Sequence, residues 1–168
     1  MVINENLVDL SQMTYTMASY DKDTKIAKVV DSYHASRLQI ALPEGYKTGD
    51  TYTFSCNIDN IDGDDTMEIV TYPGTNEIKT LKSDGTKQTF KFTVADHKTN
   101  LYLYLGIRAN TKGSYKIYNI KIEKGDKATP YIPSKNSLDP SKQAIFKVGG
   151  GIPRGVSTLI GLEVGYVN

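Results

Sequence analysis

The sequence lacks tryptophan, contains a single cysteine and has no marked excess of either charge. Because Cys56 is the only thiol, no disulfide can form within the chain. This cysteine lies in the apolar, β-prone run "TYTFSCNID", which favours a buried structural thiol over a catalytic one. The 20 basic and 19 acidic residues are spread along the chain, which argues against nucleic acid and an anionic membrane as partners.

Long apolar runs are also missing. No stretch approaches the roughly 20 apolar residues that a helix needs to cross a bilayer. The N-terminus "MVINENLVDL" has no basic region followed by an apolar run, so a secretory signal is not expected. The sequence therefore predicts a protein that is made in the cytoplasm and is not exported by a cleaved signal. Its 168 residues allow one domain with an appendage.

Helical periodicity is absent as well, whereas apolar residues alternate with polar ones in several runs bounded by Gly, Pro, Asp or Asn. The predicted core-facing residues are Leu38, Ile40 and Leu42; Tyr52, Phe54, Cys56 and Ile58; Phe90, Phe92 and Val94; Leu101, Leu103, Leu105 and Ile107; and Tyr118, Ile120 and Ile122. Further strands are predicted at "KIAKVV" and "MEIVTY", and Asp84-Gly85 is interpreted as a tight hairpin turn. This pattern predicts an all-β fold, an antiparallel β-sandwich such as a jelly roll, followed by a β-prone arm.

The last 35 residues differ in composition from the rest. The linker-like "SKNSLDPSK" precedes apolar, β-prone pieces that are interrupted by Gly149–Gly151 and Pro153. This segment is too short to bury its own apolar face, so we expect it to pair with its own sandwich or with another chain. The predicted organisation is a domain over residues 1–133 and a linker with an attachment or oligomerisation arm over 134–168. The apolar residues proposed for attachment are Ile145, Phe146, Val148, Leu159 and Ile160.

The run "IYNIKIEKGDKATPYIP", residues 117–133, resembles the C-terminal end of jelly-roll domains in tail, baseplate and fibre proteins of phages that infect Gram-positive bacteria. Those domains are similar to family 4/9 carbohydrate-binding modules, and they end in I-x-x-I-K-[IL]-E-x-G followed by "ATxW" or a relative. The matching residues are Ile117, Ile120, Lys121, Ile122, Glu123, Gly125, Ala128 and Thr129. Tyr131 stands roughly where the group usually has Trp. Weaker matches at "NLVD", "GDTYTFSCNI" and "DGTKQTFKFTV" extend the resemblance over residues 4–133.

The resemblance implies a non-enzymatic virion structural protein that displays its jelly-roll domain on the tail, baseplate, fibre or capsid surface. It also implies assembly in the host cytoplasm, with other virion proteins and further copies of the chain as partners. Host cell-wall polysaccharide is the ligand class if the domain binds a glycan, and a purely architectural or decoration role without glycan binding stays open. A dedicated receptor-binding module is the first alternative, and a polysaccharide-degrading enzyme is a more distant one.

Sugar recognition commonly uses an aromatic ring that stacks on a pyranose, flanked by polar groups that bind hydroxyls. If the leucines of "NLYLYLGIRA" face the core, then tyrosines and an arginine share the opposite side of that strand. The predicted contact residues are Tyr102, Tyr104, Arg108, Arg37, Gln39 and Tyr72. The alternative is that these tyrosines only cover neighbouring strands, since tyrosine is common on exposed sheets.

Metal and catalytic motifs are weak. The acidic loop "DNIDGDD" does not have EF-hand spacing, so a solvated turn is favoured there. The resembled modules often hold a structural calcium ion near the ends of the domain, which makes Asn6, Asp9 and Glu123 the candidate ligands. No other cofactor is expected. His34 and His97 belong to no metal-binding or nucleophile motif, so no catalytic site is predicted.

Overall fold

The computed structural model describes residues 3–29, 36–73, 78–96, 100–106 and 113–137. This part of the chain forms two five-stranded antiparallel sheets, which confirms the predicted all-β sandwich. The strands are β1 (Thr14–Thr16), β2 (Ala18–Tyr20), β3 (Ile26–Val29), β4 (Arg37–Ala41), β5 (Thr51–Asn60), β6 (Thr66–Tyr72), β7 (Ile78–Lys82), β8 (Asp84–Thr93), β9 (Tyr102–Gly106) and β10 (Gly113–Lys124). The helical elements described are two 3-10 turns, Leu10–Gln12 and Lys135–Ser137, and neither approaches the length of an apolar membrane-spanning helix.

The strand order is that of a jelly roll. Sheet A has the order β1-β4-β9-β6-β7, and sheet B has the order β2-β3-β10-β5-β8. From β3 onward the chain alternates between sheets except at β6 and β7, and each sheet pairs an early strand with a late one, as in β3–β10 and β4–β9. This wrapping places two double-layered Greek keys around one core. Strands β1 and β2 extend the two sheets at one shared edge.

The core lies between the inner faces of the two sheets. Alternating residues of β4, β5, β8 and β9 are buried there, as the sequence pattern predicts, with Ile40, Phe54 and Leu103 fully buried. Each such side chain contributes about 1.5–3 kcal/mol relative to an exposed position. Cys56 is buried among them, and burial raises the pKa of its thiol. A thiol in this environment is unreactive, which fits the structural role expected for Cys56.

Strand β10 contains a bulge that the alternation pattern does not reveal. The register against β5 shifts between Tyr118 and Lys121, so Ile117 and Ile120 both point into the core while Tyr118 lies half-buried on the outer face. The prediction that Tyr118 shares the inward face with Ile120 and Ile122 is therefore wrong. A bulge adds one residue to a strand and reverses the facing of every position before or after it.

Asp84-Gly85 is not a hairpin turn, because β7 and β8 belong to different sheets. The chain passes from sheet A to sheet B at Ser83, and Asp84-Gly85 forms the first two residues of β8. Ser83 holds this crossing in place, since its N–H donates to Asp65 O and its hydroxyl donates to Asp64 O. The turn prediction fails because a strand that changes sheets has the same Asp-Gly signal as a strand that reverses.

Residues 126–134, here called the closing segment, cross the outer face of sheet B. Beneath them lie Lys121 and Glu123, whose side chains are both 0% exposed and whose Nζ and Oε2 atoms are 3.3 Å apart. Thr129 Oγ1 accepts a 2.6 Å hydrogen bond from Lys121 Nζ and donates a 2.6 Å hydrogen bond to Glu123 Oε2. Burial lowers the pKa of Lys121, and Glu123 opposes that shift. The Lys-x-Glu and Ala-Thr parts of the motif thus form one buried polar network.

Asn6 joins the N-terminal segment to β10 and to the closing segment. Its buried Nδ2 donates 2.9 Å hydrogen bonds to Ile120 O and Ile132 O, and its Oδ1 accepts from Val8 N and Ile122 N. The two ends of the described chain lie together, because the two 3-10 turns pack against each other and Glu5 pairs with Lys135 at 3.3 Å. Both ends therefore emerge at the same edge of the sandwich.

Candidate functional site

The outer side of sheet A carries most of the residues that the sequence analysis proposes for sugar binding. Strand β9 lies between β4 and β6, with Gln39 opposite Tyr104 and Tyr72 opposite Tyr102 in the strand register. Arg37 follows on the same side of β4. These five residues are here called the tyrosine face. Arg108, the sixth proposed residue, lies outside the described residues, as do His34, His97 and the proposed attachment residues of the arm.

Three of these side chains form a stacked column across three strands. The Arg37 guanidinium carbon is 4.4 Å from the centroid of the Tyr104 ring. The Tyr72 ring lies 4.8 Å from Tyr104, with 20° between the ring planes. Arg37 approaches the Tyr104 ring from β4 and Tyr72 approaches it from β6, on the two sides of β9. Cation–π attraction and offset aromatic stacking each contribute about 0.5–1.5 kcal/mol to such a column.

The three tyrosines differ in exposure, since Tyr72 is exposed whereas Tyr102 and Tyr104 are half-buried. Tyr104 contacts both Arg37 and Tyr72, and burial raises the pKa of its hydroxyl while Arg37 opposes that shift. Tyr72 stands at the end of the column and is 52% exposed, so one of its ring faces is accessible. Tyr102 adds a third ring, 6.5 Å from Tyr104 and nearly parallel to it. Tyr72 is therefore the most exposed ring of the tyrosine face, and Tyr104 packs against it.

Sequence reasoning missed the neighbours that β6 contributes to this face. Val70 lies opposite Tyr104, and Glu68 lies opposite Gly106 in the adjacent row. Gly106 lies between Arg37 and Glu68 in the strand register, and a Cβ there would come within 3.0 Å of Arg37, so only glycine fits at this position. The signal was present in "MEIVTY", where Glu68, Val70 and Tyr72 alternate with buried residues. It could not be used without knowing that β6 pairs with β9.

The proposed calcium ligands are engaged in hydrogen bonds within the protein. Asn6 Oδ1 accepts from two backbone N–H groups, and Glu123 accepts from Thr129 and pairs with Lys121. Asp9 Oδ1 accepts from Ser11 N and Oγ at the start of the first 3-10 turn. Within the described ranges, no three His, Cys, Asp or Glu side chains converge to hold a metal ion. The structural calcium stays a prediction.

The sequence matches no protein-family model and no curated protein. Among solved structures, the chain is similar to a family 4 carbohydrate-binding module (CBM4) at 14% identity and a TM-score of 0.43, covering 67% of this chain and 78% of that one. It is similar to the CBM22-1 and GH10 modules of endo-1,4-β-D-xylanase 10B from Clostridium thermocellum at 12% identity and a TM-score of 0.48, covering 79% of this chain and 30% of that one. It is also similar to the tripod from the baseplate of bacteriophage Tuc2009 at 20% identity and a TM-score of 0.47, covering 82% of this chain and 61% of that one.

Proposed function

We propose that this chain is a non-enzymatic structural component of a phage particle whose jelly-roll domain displays a weak glycan-binding face. The accessible ring of Tyr72, backed by Tyr104 and Arg37, is the observation that carries the binding role. The closing motif in the sequence supports the virion role, because it resembles the end of jelly-roll domains in phage tail, baseplate and fibre proteins. The ligand class is host cell-wall polysaccharide.

The geometry suits a pyranose in two ways. An aromatic face stacks on the apolar C–H face of a sugar ring, and nearby planar polar groups bind its hydroxyls. Tyr72 supplies the ring face, and Gln39, Arg37 and Glu68 supply polar groups on the same side of the sheet. A single exposed ring gives low affinity, so useful attachment depends on several copies acting together on one particle.

A glycan array probed with the purified protein tests the binding role. We expect saturable binding to a subset of bacterial glycans, and Tyr72→Ala should weaken it about tenfold, the effect of losing an anchoring aromatic. The matched control is Tyr15→Ala, because Tyr15 is also an exposed tyrosine, 38% accessible, but lies outside the tyrosine face. Equal loss in both variants, or no saturable binding by the wild type, would leave a purely architectural role.

Truncation after residue 137 tests the virion role. The cut keeps Ser134, which is buried, and the 3-10 turn Lys135–Ser137, which packs on the domain. The truncated protein should therefore fold normally but fail to copurify with phage particles, as judged by mass spectrometry of purified virions. Normal incorporation of the truncated chain would contradict attachment through the arm.

A further inference from the structure

The outer face of sheet B carries a second aromatic and polar cluster, on the opposite side of the sandwich from the tyrosine face. The bulge in β10 brings Tyr118 and Asn119 to this surface, beside Asn57 and Asp59 of β5. The closing segment covers the part of sheet B nearer to Glu123, and this cluster lies beyond it. The four residues are here called the Tyr118 patch.

The Tyr118 ring lies along the sheet. Tyr118 is opposite Asn57 in the strand register, yet its hydroxyl lies 3.3 Å from Asp59 Oδ1, two residues further along β5. A phenol that reaches this diagonal neighbour leans along the strand, and its ring is half-buried. Lys116, an exposed residue, has its Nζ 5.5 Å from the ring centroid and can move away from it. The half-buried ring thus forms a shallow platform.

Asn119 occupies a strained backbone position beside that platform. Its φ is 54°, in the left-handed region that non-glycine residues seldom adopt, and it lies within the bulge between Tyr118 and Lys121. Asparagine tolerates this conformation better than most residues, but glycine adopts it without strain. Bulges next to binding sites often redirect a side chain, and strained residues cluster at such sites.

The amide of Asn119 is positioned by its neighbours and still has capacity for a ligand. Its Nδ2 donates a 3.1 Å hydrogen bond to Asn57 Oδ1, and Asn57 Nδ2 donates a 2.9 Å hydrogen bond to Gly85 O. Within the described part of the chain, no hydrogen bond reaches Asn119 Oδ1. An amide can bind two adjacent hydroxyls through its oxygen and its remaining N–H.

We propose that the Tyr118 patch is a second saccharide-binding site, which takes a single neutral pyranose with a vicinal pair of hydroxyls. Tyr118 stacks on the C–H face of the sugar, Asn119 binds two adjacent hydroxyls, and Asp59 accepts a hydrogen bond from a third. Charges of both signs border the patch, with Asp59 on β5, Lys116 on β10 and Lys87 opposite Asn57 on β8, so no single charge selects a charged sugar. With binding surfaces on both sheets, one domain can bridge two glycan chains.

Amide chemical-shift mapping tests this site separately from the tyrosine face. Uniformly ¹⁵N-labelled protein is titrated in turn with methyl β-D-glucopyranoside, methyl β-D-galactopyranoside and N-acetylglucosamine. We expect at least one sugar to shift the amides of Asn57, Asp59, Tyr118 and Asn119. Tyr118→Ala should weaken this response about tenfold. Tyr72→Ala should leave it unchanged, so failure at one face is distinguishable from failure at the other.

Asn119→Gly separates a binding role from a backbone role. Glycine relieves the left-handed strain, so the variant should be no less stable than the parent in urea, while sugar-induced shifts at Tyr118 decrease about tenfold. If Asn119→Gly binds sugar as well as the wild type, Asn119 serves only the bulge and the proposal is wrong. It is equally wrong if none of the three sugars shifts these amides, or if the Tyr118→Ala variant keeps the full response.

Discussion

The buried ion pair beneath the closing segment provides a direct test of how the domain is closed. Lys121 and Glu123 have fully buried side chains with their Nζ and Oε2 atoms 3.3 Å apart. Lys121→Met replaces the ammonium group with an apolar group of similar length. Glu123 then stays buried, and the N–H and hydroxyl of Thr129 still donate hydrogen bonds to it.

The expected cost follows from the balance between attraction and desolvation. At 3.3 Å the Coulomb attraction is about 5 kcal/mol for an effective dielectric constant of about 20. Desolvation offsets much of this attraction, but loss of one partner leaves an uncompensated buried charge and costs about 3–5 kcal/mol. In a domain of this size the melting temperature should fall by roughly 10–20 °C.

Urea unfolding followed by circular dichroism measures this change. The double variant Lys121→Met/Glu123→Leu removes both charges and should be more stable than Lys121→Met alone, because no unpaired charge is left buried. Lys91→Met, at an exposed lysine of β8, is the matched control and should stay within about 0.5 kcal/mol of wild type. A single variant within about 1 kcal/mol of wild type, or a double variant no more stable than the single one, would refute the reasoning.

Three further predictions concern other parts of the sandwich. The ion pair with Lys124, at 2.9 Å, and the N–H of Lys47 hold the pKa of Asp50 below its ordinary 3.8. The stabilisation that Asp50 gives the folded state is therefore present above that value and is lost as pH falls through the folded pKa. Asp50→Asn should flatten the acid side of a plot of melting temperature against pH. Gly106→Ala should lower the free energy of unfolding measured in urea by about 1–3 kcal/mol, since the added Cβ would lie 2.5 Å from Ser36 O. A variant as stable as wild type would contradict this packing. Asn6→Ala leaves buried carbonyl and N–H groups without their partner and should lower the free energy of unfolding by about 2–4 kcal/mol, with faster hydrogen exchange at the amide of Ile122. Unchanged exchange at Ile122 would count against the joining role of Asn6.

Much of the fold follows from local alternation in the sequence. The inward residues of β4, β5, β8 and β9 are predicted correctly because each run keeps a strict period of two. The prediction fails where local rules do not apply: the bulge reverses Tyr118, and Ser83 marks a change of sheet that resembles a turn. Both features depend on pairing between strands far apart in the sequence.

The sequence predicts which residues share the tyrosine face but not how their side chains stack on one another. Alternation alone places Tyr102 and Tyr104 on the side opposite the leucines, and it does the same for Arg37 and Gln39. It does not reveal that Tyr104 lies between Arg37 and Tyr72, since β4, β9 and β6 are adjacent only after the jelly roll has wrapped. The strand order is therefore what makes Tyr72, rather than Tyr104, the tyrosine that we propose for stacking on a sugar.

The closing segment also determines where mechanical tension enters the domain. A pull applied through residues beyond 137 first reaches the packed 3-10 turns and the Lys135–Glu5 ion pair, then the bond between Asn6 and Ile132, and then the network around Thr129. These bonds connect the exit of the chain to sheet B and to the N-terminal segment, and the backbone ladder of β10 is loaded only after they break. The tyrosine face lies on the other sheet, so tension at this exit can strain the closing segment while the shape of that face is preserved.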